Sequence, residues 1–207
     1  MRSAPHSRLA TIAVAAAAAA AAATVPATAE AAAPTGCPAT TMTTPFAPWG
    51  DTAAYVLAPD GGFEKPASSW SLARGAAVGD GNEPFKIGGA ADHRSLSLPA
   101  GSSATTTQMC IGVEPKTMRF FVKRTAAAPK ASLNVEILYS NAAGKASSQR
   151  IGRISSCQAW APSPILPLVV NRLAAARANA MQVAFRFTPQ GGRFSIDDVY
   201  VDPYRRG

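Results

Sequence analysis

Two adjacent carboxylates, Asp197 and Asp198, interrupt the closing stretch FSIDDVYVDPYRRG, residues 194–207. On a period of two, Phe194, Ile196, Asp198 and Tyr200 share one face of a strand, and Ser195, Asp197, Val199 and Val201 share the other. One carboxylate then points to the core side unless a bulge intervenes. A lone buried carboxylate costs several kcal/mol, so it must be paired, protonated, wet at a sheet edge, or bound to a metal. Far upstream, Gly61-Gly62-Phe63-Glu64 supplies a tight glycine turn with open carbonyls and a carboxylate directly after it. A hard cation wants about six to eight oxygens, and carboxylates with loop carbonyls provide them. Alternatively, Asp197 or Asp198 pairs with an arginine such as Arg193, or caps the turn.

The residues that usually carry catalysis are sparse. His93, in Ala91-Asp92-His93-Arg94, is the only histidine beyond the first thirty residues, and no G-x-S-x-G surrounds any serine. A nucleophilic triad needs a base beside its nucleophile. Most of the remaining acids, among them Asp51, Asp60, Asp80, Glu83, Asp92, Glu114, Glu136 and Asp202, fall in turns or on wet strand faces, and no motif frames a glycosidase pair. The expectation is a protein that is not an enzyme, with a small secreted hydrolase as an alternative.

Three cysteines, Cys37, Cys110 and Cys157, allow one bridge and one leftover thiol in three pairings. Spacing does not select among them. Cys37–Cys110 is the expected bridge, because it would pin the N-terminal arm to the body. No C-x-x-C is present, which disfavours zinc.

The elements that must position these groups come from the patterning. Residues 1–32 have the layout of a secretory signal peptide: Arg2 and Arg8, an alanine-dominated run from Thr11 to Val25, then small residues, with cleavage after Ala29 or Ala32. The apolar run is too short and too weakly hydrophobic for a membrane span. The expected location is secreted, extracellular, where disulfides persist. Residues 33–58 form an N-terminal arm and 59–207 one domain. Twenty Lys and Arg against 12 Asp and Glu leave a net charge of +8. The charges are scattered, and no basic run interleaves with aromatics, so nucleic acid is not an expected partner.

Within the domain, Leu133, Val135, Ile137 and Tyr139 alternate with Asn134, Glu136 and Ser140; Met181, Val183, Phe185 and Phe187 alternate with Gln182, Ala184, Arg186 and Thr188. Such alternation marks strands with one buried and one wet face. With short β-prone runs and turn clusters throughout, it predicts an all-β, antiparallel jelly-roll β-sandwich. Only residues 168–180 have helix-like composition. Trp70 and Trp160 each open a strand and should pack at the core edge, and Trp49 on the arm should cover the domain. Tyr139 and Phe121 are the candidates for solvent-facing, ligand-binding rings, since sugars stack on exposed aromatics.

The GGFE stretch, the following Trp70 and the terminal IDDV resemble carbohydrate-binding modules of the galactose-binding-domain-like superfamily. TMRFFVK is similar to their central strand, SLNVEILYSNAAGK to the next hairpin. The resemblance covers roughly residues 60–202; the whole chain resembles secreted actinobacterial-type proteins. In many such modules a G-F-E stretch and an Asp of the last strand hold one structural calcium ion. The resemblance therefore implies calcium at Glu64 and Asp197, with Asp198 beside it. It also implies a non-enzymatic module whose partner is an extracellular glycan or cell-wall polymer. A structural, envelope-associated protein without a sugar site is the alternative. The sequence does not set an oligomeric state.

Overall fold

The computed structural model describes residues 37–38, 40–65, 67, 69–112, 116–126, 130–155, 157–168 and 179–202. The expected signal peptide, Tyr204, the Arg205-Arg206 pair and most of the helix-like stretch lie outside these. Among the described residues there are thirteen strands: β1 (Val56–Leu57), β2 (Trp70–Ala73), β3 (Ala77–Asp80), β4 (Arg94–Leu98), β5 (Ser103–Thr106), β6 (Met109–Gly112), β7 (Lys116–Ala126), β8 (Ser132–Ser140), β9 (Ala146–Ile154), β10 (Ala161–Pro162), β11 (Leu166–Leu168), β12 (Ala180–Gln190) and β13 (Arg193–Asp202). The one helical turn among the described residues is 3-10, Ala47–Trp49. No helix among the described residues is long and apolar enough to cross a membrane.

The strands form two antiparallel sheets. The first has the order β10-β7-β13-β4-β3, with β1 beside β13 and β11 beside β7; the second has β2-β5-β12-β8-β9, with β6 beside β12. The protein is the jelly-roll β-sandwich that its alternation predicts. Leu133, Val135 and Ile137 of β8 and Val183, Phe185 and Phe187 of β12 turn inward and are fully buried. They meet Met118, Phe120, Val122, Leu96 and Phe194 of the first sheet in one core. Trp70 packs between Phe63 and Phe187, with ring centroids 5.1 and 5.7 Å away. Its indole Nε1 donates to the Pro59 carbonyl at 2.9 Å, satisfying the buried donor.

A second, smaller core lies on the outer face of the first sheet. Residues 43–55 cross that face as a strap, closed by the bridge Thr43↔Tyr55. Phe46 stacks on Phe121 at 5.4 Å and meets Tyr55 and Tyr200 edge-on at 5.2 and 5.8 Å. Trp49 packs edge-on against Phe121, covering the sheet as expected of the arm. Asp51 of the strap pairs with Arg119 Nη1 at 2.8 Å and accepts the Tyr55 hydroxyl at 2.8 Å. Burial works against the charged Asp51, but these bonds outweigh it and leave its carboxyl below the usual range. The strap corrects one expectation. Phe121 does point out of its sheet, yet it is wholly buried and offers no ring to a ligand. Period-two logic gave the right face and could not foresee a cover.

The Cys37–Cys110 disulfide is present and ties the start of the strap segment to β6. Cys157 is free and half-buried, and burial pushes its thiol up.

Candidate functional site

β13 carries the device that gathers the acids. Asp197 registers with Phe121 and Tyr200 with Arg119, so β13 spends three steps where β7 spends two. This is a bulge, and Asp198 sits in it at φ 49°, left-handed backbone that an L-residue adopts at a cost. Parity switches across it. Phe194 and Ile196 face the main core before the bulge, Val199 and Val201 after it, while Tyr200 joins the outer aromatic cluster. Both carboxylates are fully buried.

The glycine turn meets the bulge. Val199 N–H donates to the Gly61 carbonyl at 3.0 Å, and Ala58 N–H donates to the Val199 carbonyl at 2.8 Å. A Cβ on Gly61 would lie 2.9 Å from the carbonyl oxygens of both Ala58 and Val199, so only glycine fits. One on Gly62 would touch Asp198 Oδ1 at 3.4 Å. Residues 61–64 and 196–198 are thus neighbours, as the GGFE and IDDV stretches imply.

Two further acids complete the cluster. Glu83 and Asp92 come from the loop joining β3 to β4, and both are buried. Oxygens of Glu83, Asp92 and Asp198 lie within 4.8 Å of one another. Sequence reasoning placed both residues among wet turn acids. The usable signal was the loop's length and its Gly, Asn and Asp content (GDGNEPFKIGGAADH), which is more than a plain hairpin needs.

The oxygens divide by how they are already used. Glu64 Oε1 accepts the N–H groups of His93 and Arg94 at 2.8 and 2.7 Å, and Oε2 lies 2.9 Å from His93 Nδ1. Burial raises the Glu64 carboxyl, but these backbone donors outweigh it and hold it below the ordinary range. Asp197 accepts Asp198 N–H at 2.9 Å and Glu83 N–H at 3.4 Å. Glu83 accepts the N–H groups of Ile87, at 2.7 Å, and Phe85. Asp92 accepts Gly88 N–H at 3.2 Å through Oδ2. Both oxygens of Asp198 and Oδ1 of Asp92 are buried with no hydrogen-bond partner. No arginine takes either Asp197 or Asp198 among the described ion pairs, which leaves the proposed Arg193 pairing without support.

Such crowding is costly unless neutralised. Burial first, then Asp198 and Asp92, push Asp197 up to about 9. Burial first, then Asp92, Glu83 and Glu64, push Asp198 up to about 7. Burial and Glu64 likewise raise Asp92. The donor set is all oxygen, charged and preorganised by backbone N–H groups, which suits a hard divalent cation. Three carboxylate oxygens mutually within 4.8 Å can share one cation at about 2.3–2.6 Å from each.

Tyr139 is half-buried, packs against the main core, and lines a groove of about 440 Å³ on the second sheet with Gln108, Leu138, Ser140 and Arg186. Arg186 there pairs with Glu136 at 2.9 Å.

No protein-family model matches the chain, and no curated protein sequence matches it. Solved structures do. The CBM22-1 and GH10 modules of endo-1,4-β-D-xylanase 10B from Clostridium thermocellum, complexed with xylohexaose, align at TM-score 0.50 and 14% identity, over 70% of this chain and 28% of that one. The N-terminal CBM22-1–CBM22-2 tandem domain of Xyn10C from Paenibacillus barcinonensis aligns at TM-score 0.50 and 11% identity, over 75% of this chain and 47% of that one. The chain spans less than half the length of either. At such identity the likeness is one of fold. The chain has an antiparallel β-sandwich fold like that of these carbohydrate-binding modules.

Proposed function

We propose that the protein is a secreted, non-catalytic module that binds an extracellular glycan or cell-wall polymer, its sandwich clamped by one calcium ion. The observation that supports the binding reading is the carbohydrate-binding-module fold, shared with structures whose names record xylohexaose or tandem modules. Burial of the acids supports a structural role for them. A glycosidase needs its two carboxyls facing a sugar in an open groove, whereas Glu83, Asp92, Asp197 and Asp198 are all closed from solvent. Glu83, Asp92 and Asp198 would ligate the ion, and Glu64 and Asp197, their oxygens committed to backbone donors, would hold the surrounding loops. The Cys37–Cys110 bridge and the signal-like leader favour export.

A polysaccharide pull-down with the full chain, read against turnover assays on glycosidic and ester substrates, tests the reading. Retention on a polysaccharide without turnover is expected. Turnover, or no retention on any wall or plant polymer, overturns it.

A further inference from the structure

The two sheets present different outer faces. On the second, Arg186 and Glu136 satisfy one another. On the first, beside the strap, lies a groove of about 250 Å³ whose polar side chains are unspent among the described residues, apart from Thr125, which donates to the Arg193 carbonyl at 3.4 Å. Its floor comes from the register. Lys123 of β7 faces Ser195 of β13, Ser195 faces Ser97 of β4, and Ser95 of β4 faces Gly79 of β3. Serine and glycine in place of larger side chains leave a trough across four strands. Trp160, which enters β10 beside Lys123, makes one wall, and Asp80 stands at the opposite side.

The hydrogen-bonding capacity of this trough is open. Ser95 and Ser195 are only 6% and 8% exposed, yet neither they nor Ser97 make a side-chain hydrogen bond among the described residues. None of these hydroxyls is among the sealed, unpartnered atoms, so they open onto the groove. Lys123 has only the Trp160 ring, 5.1 Å from Nζ to the centroid, and Arg193 at the groove's end has no carboxylate partner among the described residues. Two unneutralised cations, a row of hydroxyls and an indole wall match a sugar that carries a carboxylate. The chain's net charge of +8 favours such a polymer at long range.

We infer that the outer face of the first sheet, at Lys123, Ser97, Ser195, Trp160 and Arg193, binds an acidic polysaccharide of the uronic-acid class. The inference rests on the glycan-binding reading and deepens it by naming face and charge. Lys123 and Arg193 take the carboxylate groups, the serines take ring hydroxyls, and Trp160 covers the apolar edge.

Affinity electrophoresis of the full chain in gels containing polygalacturonate, or the same polymer after carboxyl reduction, tests it. The wild type should bind the acidic polymer about tenfold or more tightly than the reduced one, and Lys123→Ala/Arg193→Ala should lose about tenfold or more. Lys145→Ala/Arg150→Ala removes two exposed cations elsewhere and should bind as the wild type does; equal weakening there means diffuse charge and overturns the groove. Equal retention of both polymers, unaffected by Lys123→Ala/Arg193→Ala, overturns the groove and leaves glycan binding standing. Equal competition by duplex DNA through the same two residues overturns the sugar assignment. No retention in either gel, or on any other polysaccharide, overturns both. Melting curves of each variant matched to the wild type assign any lost binding to the site.

Discussion

Asp198 is a residue in debt on three counts: a left-handed backbone, complete burial, and two oxygens without a donor. A bound divalent cation offsets all three, and this makes the metal testable at single residues. Chelator should lower the melting temperature of the wild type by about 5 °C or more, the shift that roughly 2 kcal/mol produces in a domain of this size. Asp198→Asn and Glu83→Gln should abolish that sensitivity; an unchanged wild-type curve with chelator removes calcium from the account. The pH dependence has a definite sign. Asp197 and Asp198 are raised to about 9 and about 7 from 3.8, so the folded metal-free state holds protons that the unfolded chain releases. Their contribution is fully present below about pH 4 and is lost as pH climbs through about 7 and 9. In chelator the melting temperature should therefore fall between about pH 5 and pH 9. With excess calcium, which binds ionised oxygens, that fall should vanish or reverse.

At the scale of elements, the strap matters most. Phe46 fills a site between Phe121, Tyr55 and Tyr200 and is fully buried, with Arg119 Cζ 4.6 Å from its ring centroid. Phe46→Ala should cost about 3–5 kcal/mol in urea denaturation. Asp51→Ala should cost a similar amount, about 3–5 kcal/mol, because it strands Arg119, itself only 8% exposed, without its partner. A loss below about 1 kcal/mol in both would mean that the strap rests on the sheet without holding it. Much at this scale was legible in the residues. β8 and β12 alternate, and the structure buries the positions that were read as inward, with Tyr139 and Met181 half-buried at the ends of their rows and Ala184, read as outward, also buried. What alternation could not show is what lies above an outward-facing ring, hence Phe121. Nor could it show a change of phase within β13. Glu83 and Asp92 escaped for a different reason: they are distant in sequence from both GGFE and IDDV, and the bonds that bring them in are made by loop backbone.

For the whole molecule, the Cys37–Cys110 bridge closes 73 residues and joins the strap segment to the second sheet through β6. Constraining a loop of that length stabilises by about 4 kcal/mol, chiefly through the unfolded chain. Cys37→Ser or reductant should lower the melting temperature by about 8 °C or more, and mass tagging under non-reducing denaturation should find one thiol, Cys157. Three tagged thiols, or a single tag on Cys37 or Cys110, would refute the pairing. The bridge was readable from the need to anchor an arm, whereas spacing left all three pairings open. The placement of a ligand was less legible still, because a groove made by serines and glycines leaves no motif in the chain; it exists only once four strands lie side by side.

The supernumerary residue in β13 has one more effect. It divides the strand into an odd and an even half, so each half obeys the opposite rule for which side chains go inside. Deleting Val199 would restore uniform alternation with Tyr200 still outward and Val201 still inward, and would send Asp198 into the apolar interior. The repaired strand would be more regular and the protein worse: an imperfection of one residue is what lets a single ribbon serve a greasy interior, an aromatic exterior and a nest of acids in turn.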